Sequence, residues 1–310
     1  MRKITQHALG GPEVLEVVEA PRPAPTPTEV LVRVTAAGVN PVDWKVRTRG
    51  GFLGDPPFTV GWDVAGVVEE LGYGATRFEP GDRVFGMPRF PREAGAYAEY
   101  VTSPSRQLAL IPEGLSDVEA GAMPLAGLTA WQALAETADV LPGQRVLILG
   151  AAGGVGHLAV QIAKSRGAHV IGTARAAKHD FLAALGVDEA VDYTSETVED
   201  SVGDVDVVLD LVGDESTRGA VTTLRDGGLF IVVPSAAGLG DLLELAGDRV
   251  RVTGILVEPD RTGMESLAQL AATGALRPHV SHTFPLAHAA QAHELGETGR
   301  TQGKLVLTPA

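Results

Sequence analysis

With 310 residues the chain exceeds the roughly 250 beyond which a single core rarely grows, so two domains are expected. Its 39 acidic against 25 basic residues give a formal charge of −14, which argues against a nucleic-acid or anionic-membrane partner that needs a cationic face. Cysteine is absent, and with it disulfides, a thiolate nucleophile and any cysteine-ligated metal. The opening residues, Met1-Arg2-Lys3-Ile4-Thr5-Gln6-His7, lack the apolar core of a signal peptide, and no stretch reaches the roughly 20 apolar residues of a membrane span; a cytoplasmic location is expected.

In chain order, the proline-rich segment 21–27 reads as a stiff surface connector. From Val30 to about Pro112, short β-rich runs are cut by Gly and Pro. Strands are predicted at 30–34, 63–68 and 98–101, and the turn Pro80-Gly81-Asp82-Arg83 leads into a strand at 84–85, together a compact, barrel-like β domain. After Leu115, long Ala/Leu segments alternate with short apolar runs, the pattern of βαβ units on a parallel sheet. Strands are predicted there at 145–149, 169–172, 206–210, 228–233 and 250–254, with helices between them. From about Leu276 the sequence runs to a strand at 304–307 with no helix after it, expected to return to the first domain. The predicted division is residues 1–115 with 276–310 in one domain and 116–275 in the other.

The strand at 145–149 runs directly into Gly150-Ala151-Ala152-Gly153-Gly154-Val155-Gly156 and then a helix over 157–163. Strand, glycine turn and helix in that order offer free N–H groups and a positive helix end to a pyrophosphate, which makes Ala152, Gly153, Gly154, Val155 and Gly156 candidate cofactor contacts. Ala151 stands where the usual fingerprint has its first glycine, so the turn must tolerate a methyl group. About twenty residues on, an NAD-preferring site places Asp or Glu at the end of the second strand. Here the residues are Thr173-Ala174-Arg175-Ala176-Ala177-Lys178, with no carboxylate among them. Arg175 and Lys178 suit the 2′-phosphate of NADPH, the alternative being a solvated basic helix start.

With these features the chain resembles the zinc-independent medium-chain dehydrogenase/reductases, close to the ζ-crystallin-like quinone oxidoreductases. The resemblance is carried by residues 10–15 (GGPEVL), 36–43 (AAGVNPVD), 61–68 (GWDVAGVV), 80–86 (PGDRVFG), 127–131 (GLTAW) and 303–307 (GKLVL). It implies an α/β protein with a GroES-like, β-rich catalytic domain built from both ends of the chain, a Rossmann domain with a doubly wound parallel sheet inserted between them, a cleft where they meet, and a homodimer. In zinc-dependent relatives a Cys ligand sits close to the position of Asn40; none exists here, and residues 87–96 are too short for the structural zinc loop of those relatives. By resemblance Asn40 lines the substrate cleft, Thr129 supports the nicotinamide, and Val212, Val233, Pro234 and Ser235 run along the cofactor. From the residues alone, Asn40 also reads as a turn residue before Pro41 and Thr129 as a helix cap.

Reducing a simple ketone creates an alkoxide that needs a Lewis acid or a good proton donor. Hydride addition to an enone or quinone spreads charge onto a conjugated oxygen that hydrogen bonds can stabilise. The expectation is therefore NADPH-dependent, metal-free reduction of a small quinone or α,β-unsaturated carbonyl. The alternatives are enoyl or enone reduction within a biosynthetic pathway and a non-catalytic NADPH-binding protein of crystallin-like or regulatory type. Asp43 and Lys45 read as a proton relay or as a surface ion pair. Tyr73 and Tyr97 are candidate proton donors with structural readings beside them, and His157, His279, His282, His288 and His293 are taken as packing or surface residues because the eight histidines show no metal-ligand spacing.

Overall fold

In a computed structural model of the chain, residues 1–233 and 239–309 are described, and they form two compact units, Met1–Leu128 with Glu258–Ala310, and Thr129–Val257.

The first unit is built on one long strand. Its strands are β1 (Arg2–Thr5), β2 (Glu16–Glu19), β3 (Glu29–Val39), β4 (Val64–Leu71), β5 (Arg83–Gly86), β6 (Tyr100–Pro104) and β7 (Leu108–Leu110), joined late in the chain by β14 (Val280–Pro285) and β15 (Lys304–Thr308). The β-branched run of β3 is almost wholly buried and pairs with β4, β6 and β15, which fixes the order β14-β15-β3-β4-β5-β7 with β6 beside β3. The late strand does return to this unit, antiparallel to β3. The strand expected at 98–101 begins later, at Tyr100, because Ala98 is taken by an isolated bridge to Lys3. Helix α1 (Pro41–Arg49) starts at Asn40 with proline in its first turn and stops at Gly50, whose φ of 74° suits a residue without Cβ.

The second unit spans β8 (Arg145–Leu149), β9 (His169–Ala174), β10 (Glu189–Asp192), β11 (Val205–Asp210), β12 (Leu224–Val232) and β13 (Arg251–Gly254). All five pairings are parallel and the order is β10-β9-β8-β11-β12-β13, so the chain reverses its direction of travel across the sheet between β8 and β11. Val146-Leu147-Ile148-Leu149 are all buried, the continuous apolar run of a strand covered on both faces. Leu147, Ile171, Val208 and Phe230 anchor the core, each contributing about 1.5–3 kcal/mol by burial.

The units divide at 128/129 and 257/258, whereas the change of texture predicts 115/116 and 275/276. Two helices account for the difference. Helix α2 (Asp117–Ala122), capped by Ser116 and Glu119 in a reciprocal box, packs on β3, β4 and β15; α8 (Arg261–Ala272) packs on β7. Helix α3 (Pro124–Trp131) follows α2 and runs on into a π turn at Gln132–Thr137; the remaining helices are α4 (Gly156–Ser165), α5 (His179–Ala184), α6 (Val198–Ser201), α7 (Leu239–Ala246) and α9 (Ala289–Glu297). No helix among the described residues is long and apolar enough to cross a membrane.

Candidate functional site

The glycine turn after β8 is tied to β9 by its first two N–H groups. Gly150 donates to Thr173 Oγ1 at 3.0 Å and Ala151 to the Thr173 carbonyl at 3.0 Å. A Cβ at Gly156 would lie 2.3 Å from Gly150 O and 2.7 Å from Ala151 Cα, so only glycine lets α4 begin this close to the strand. The methyl of Ala151 finds its room across the sheet, where a Cβ at Gly172 would stand 2.9 Å from it. The glycine missing from the turn is thus replaced by one on β9. His157 is buried and its ring donates Nδ1–H to the Gly153 carbonyl at 2.9 Å, which pins the turn from inside. The backbone N–H groups of Ala152, Gly154, Val155 and Gly156 make no hydrogen bond to another described residue. They are the unsatisfied donors of a ten-residue helix start, and that cradle fits a pyrophosphate.

At the end of β9, Arg175 is exposed and its Nε donates to Tyr193 Oη at 3.1 Å. Lys178 closes the single 3-10 turn Ala176–Lys178, and burial together with the Arg175 charge pushes its ammonium below the usual lysine range. Two like charges drawn together lower their energy when an anion joins them. Tyr193 is absent from the sequence reading; it follows β10, and only the β10-β9-β8 order brings it beside Arg175. The same order supplies a carboxylate that residues 173–178 lack. Asp192 pairs in register with Ala174, and hydrogen bonds from the Thr194 hydroxyl and N–H hold its carboxyl below the usual range. Further along the C-terminal edge of the sheet, Val212 is 43 % exposed and Val233 follows β12, while Pro234 and Ser235 lie outside the described residues. Thr129 is buried within α3 and caps no helix.

In the first unit, Asn40 and Asp43 belong to a buried polar cluster. Asp43 is fully buried, because α1 turns Asp43, Val46 and Arg47 inward, whereas Lys45 is exposed; the surface ion pair expected between Asp43 and Lys45 is therefore replaced by interior bonds. Its Oδ2 accepts from Asn40 N–H at 2.7 Å and from the Tyr97 hydroxyl at 3.0 Å, and its Oδ1 is buried without a partner among the described residues. Burial, with the neighbouring Asp63 charge, pushes its carboxyl up to about 7. Arg47 donates to His293 Nδ1 at 3.0 Å, and burial followed by the Arg47 charge pushes the imidazole down to about 3. A neutral ring accepting at Nδ1 carries its proton on Nε2, which then donates to Tyr97 Oη at 3.0 Å and commits the phenol hydrogen to Asp43. Tyr73, by contrast, is 90 % exposed. Asn40 donates from Nδ2 to Asp63 Oδ2 at 2.8 Å and accepts at Oδ1 from Lys304, so its amide is bonded at both ends and buried. Sequence reading missed Asp63, Lys304, Arg47 and the partners of His293, which are far apart in the chain. No three His, Asp or Glu side chains among the described residues gather in a way that would hold a metal.

Residues 26–113 match the alcohol dehydrogenase GroES-like domain family and residues 185–307 the zinc-binding dehydrogenase family. The chain is 34% identical to the 2-haloacrylate reductase of a Burkholderia species over 98% of this chain and 97% of that protein. Among solved structures, the quinone oxidoreductase of Coxiella burnetii superposes with a TM-score of 0.94 at 37% identity, covering 100% of this chain and 99% of that one. The Escherichia coli quinone oxidoreductase solved with NADPH gives 0.90 at 30% identity, with full coverage of both chains at 100%. Together with the β10-β9-β8-β11-β12-β13 sheet and its glycine turn, these likenesses make the chain a member of the medium-chain dehydrogenase/reductase superfamily, in its quinone oxidoreductase family.

Proposed function

We propose that the protein uses NADPH to deliver a hydride to a small quinone or other conjugated carbonyl compound, without zinc. The carrying observation is the arrangement on one edge of the parallel sheet: four N–H groups at the start of α4 with no partner among the described residues, and Arg175 with Lys178 and Tyr193 at the end of the neighbouring strands. The turn from Ala152 to Gly156 would hold the pyrophosphate, and Arg175 with Lys178 the 2′-phosphate, through charge-assisted bonds. Thr129 is assigned to the nicotinamide, and Val212 and Val233 to the line of the cofactor. The reduced nicotinamide supplies the hydride when bound.

A conjugated acceptor suits this chain because it asks for little acid catalysis. Charge arriving on a conjugated oxygen is stabilised by hydrogen bonds, and orientation then carries much of the rate. The absence of cysteine removes the thiolate ligands that a catalytic or structural zinc of the alcohol dehydrogenase type would use. Asn40 and Asp43 would act as positioning residues that hold the turn at Asn40-Pro41, because their side chains are bonded inside the first unit. The similarity to a 2-haloacrylate reductase and to quinone oxidoreductases supports acceptors of this class.

The cofactor assignment is tested by Arg175→Ala. Loss of charge-assisted bonds worth about 1.5–3 kcal/mol weakens NADPH about 10- to 100-fold in a fluorescence titration, with NADH changed less than about twofold. Equal losses for both cofactors would move the phosphate contact elsewhere. Following NADPH oxidation with a benzoquinone, a small enone and a saturated ketone tests the acceptor class, and turnover of the ketone alone would overturn it.

A further inference from the structure

One buried charge in the second unit has no role in the reading above. Asp210 is the last residue of β11, level in register with Leu149 at the end of β8 and with Val232 at the end of β12. It therefore stands where the strand order reverses, at the carboxyl edge where doubly wound sheets bind their ligands. Its side chain is only 1 % exposed. Oδ1 accepts from the N–H groups of Val212 at 2.9 Å and Gly213 at 3.0 Å, and Oδ2 from the Thr217 hydroxyl at 3.0 Å. One carboxylate thus shapes the turn that leaves β11 and presents Val212, whose methyl carbon would lie 3.3 Å from a Cβ built on Gly150.

All three donors are neutral, and a neutral amide would serve them nearly as well. The Thr217 hydroxyl has the Asp214 carbonyl as an alternative acceptor at 2.8 Å, so it could receive a hydrogen bond from an amide instead of giving one. Yet the group is an acid with no cationic partner among the described residues; burial raises its carboxyl, and the nearby Asp214 charge raises it further. A buried charge held without a counter-charge is costly, and such charges concentrate where a ligand completes the balance.

Resting on the assignment of a nicotinamide dinucleotide to this edge, we infer that Asp210 is the counter-charge for the oxidised cofactor, whose ring carries a positive charge that the reduced form lacks. A bound reduced nicotinamide would supply the hydride, with both bonding electrons, to the acceptor carbon and would be left one unit more positive. A fixed negative charge on the same edge of the sheet favours that outcome and so favours hydride release over hydride return. Asp210 acts by its field and by holding the turn at 211–213; it takes up no proton and forms no bond in the reaction.

The test compares two affinities in one protein. NADP⁺ and NADPH are titrated into the wild type and Asp210→Asn by calorimetry at pH 8, on the alkaline side of the usual carboxylate range. The amide keeps the turn, so NADPH affinity should stay within about twofold, while NADP⁺ should weaken about tenfold, the size of a screened interaction across several ångströms. An unchanged ratio of the two affinities in Asp210→Asn overturns the inference, as does equal weakening of both, which would leave Asp210 with a purely structural part. Absence of binding by either form to the wild type would instead refute the cofactor assignment itself. Should the variant fail to fold, the wild type alone decides. The NADP⁺ to NADPH affinity ratio must fall as pH is lowered and Asp210 takes a proton, and the 2′-phosphate, common to both ligands, cancels from that ratio; a pH-independent ratio overturns the proposal.

Discussion

The two polar centres of the molecule are built on opposite plans. In the first unit, Asn40, Asp43, Asp63, Tyr97, His293 and Lys304 turn inward and bond to one another, so that a donor is met by an acceptor at nearly every step. In the second unit, the glycine turn keeps its side chains out of the way and leaves the main-chain donors of Ala152, Gly154, Val155 and Gly156 without partners among the described residues. Interior polar groups are tolerated when they are satisfied, whereas unsatisfied donors at a helix start are a binding site for something negative. A polar cluster alone therefore does not mark where a ligand goes; in the proposed function, the unfilled donors do.

The sharpest way to break this contrast is Gly156→Val. A side chain begun 2.3 Å from Gly150 O forces α4 away from the strand, at a cost of about 3 kcal/mol or more, and cofactor affinity in a fluorescence titration should fall at least about 100-fold. Unchanged affinity would mean that the cradle lies elsewhere.

The next effect belongs to the inward cluster and is read in stability. Asp43 is pushed up to about 7 from 3.8, so the folded state holds its proton more tightly than the unfolded chain and loses stability as pH rises between those values, by ~1.4 kcal/mol per unit. His293, pushed down to about 3 from 6.5, works in the other direction: its contribution is complete above 6.5 and is lost as pH falls toward 3. Between about pH 4 and 6.5 the two slopes oppose each other. Denaturant unfolding across that range should show Asp43→Asn gaining stability with rising pH relative to the wild type by that same slope. Parallel profiles for the two proteins would show that Asp43 is ionised throughout. The smallest effect is expected of Tyr193→Phe, which removes one hydroxyl beside Arg175 and should weaken NADPH about two- to fivefold in the same titration used for Arg175→Ala.

What could be read from the sequence follows the distance over which each feature is determined. The glycine turn is local, with strand, bend and helix contiguous between Arg145 and Ser165, and its place in the fold was legible. So was the return of the last strand, because Lys304–Thr308 has a strand's composition and no helix beyond it. The Ser116 and Glu119 capping box announces a helix start, but not the unit on which that helix packs, and the domain limits shifted accordingly. His293 reads in the sequence as a packing or surface residue because nothing near it hints at Arg47 or Tyr97. Asp43 reads in the sequence as half of a proton relay or of a surface ion pair with Lys45, because a short helix shows its inward face only once its neighbours are in place.

The exchange between Ala151 and Gly172 has a consequence for how such chains diverge. The two positions share one methyl's worth of space between the bend and the adjoining strand, so neither can be chosen independently of the other. A lineage that restores glycine at the first position releases the second to carry a side chain, and one that enlarges the second must first empty the first. Departures from a consensus fingerprint at this bend are thus better judged as paired changes across two strands than as local defects.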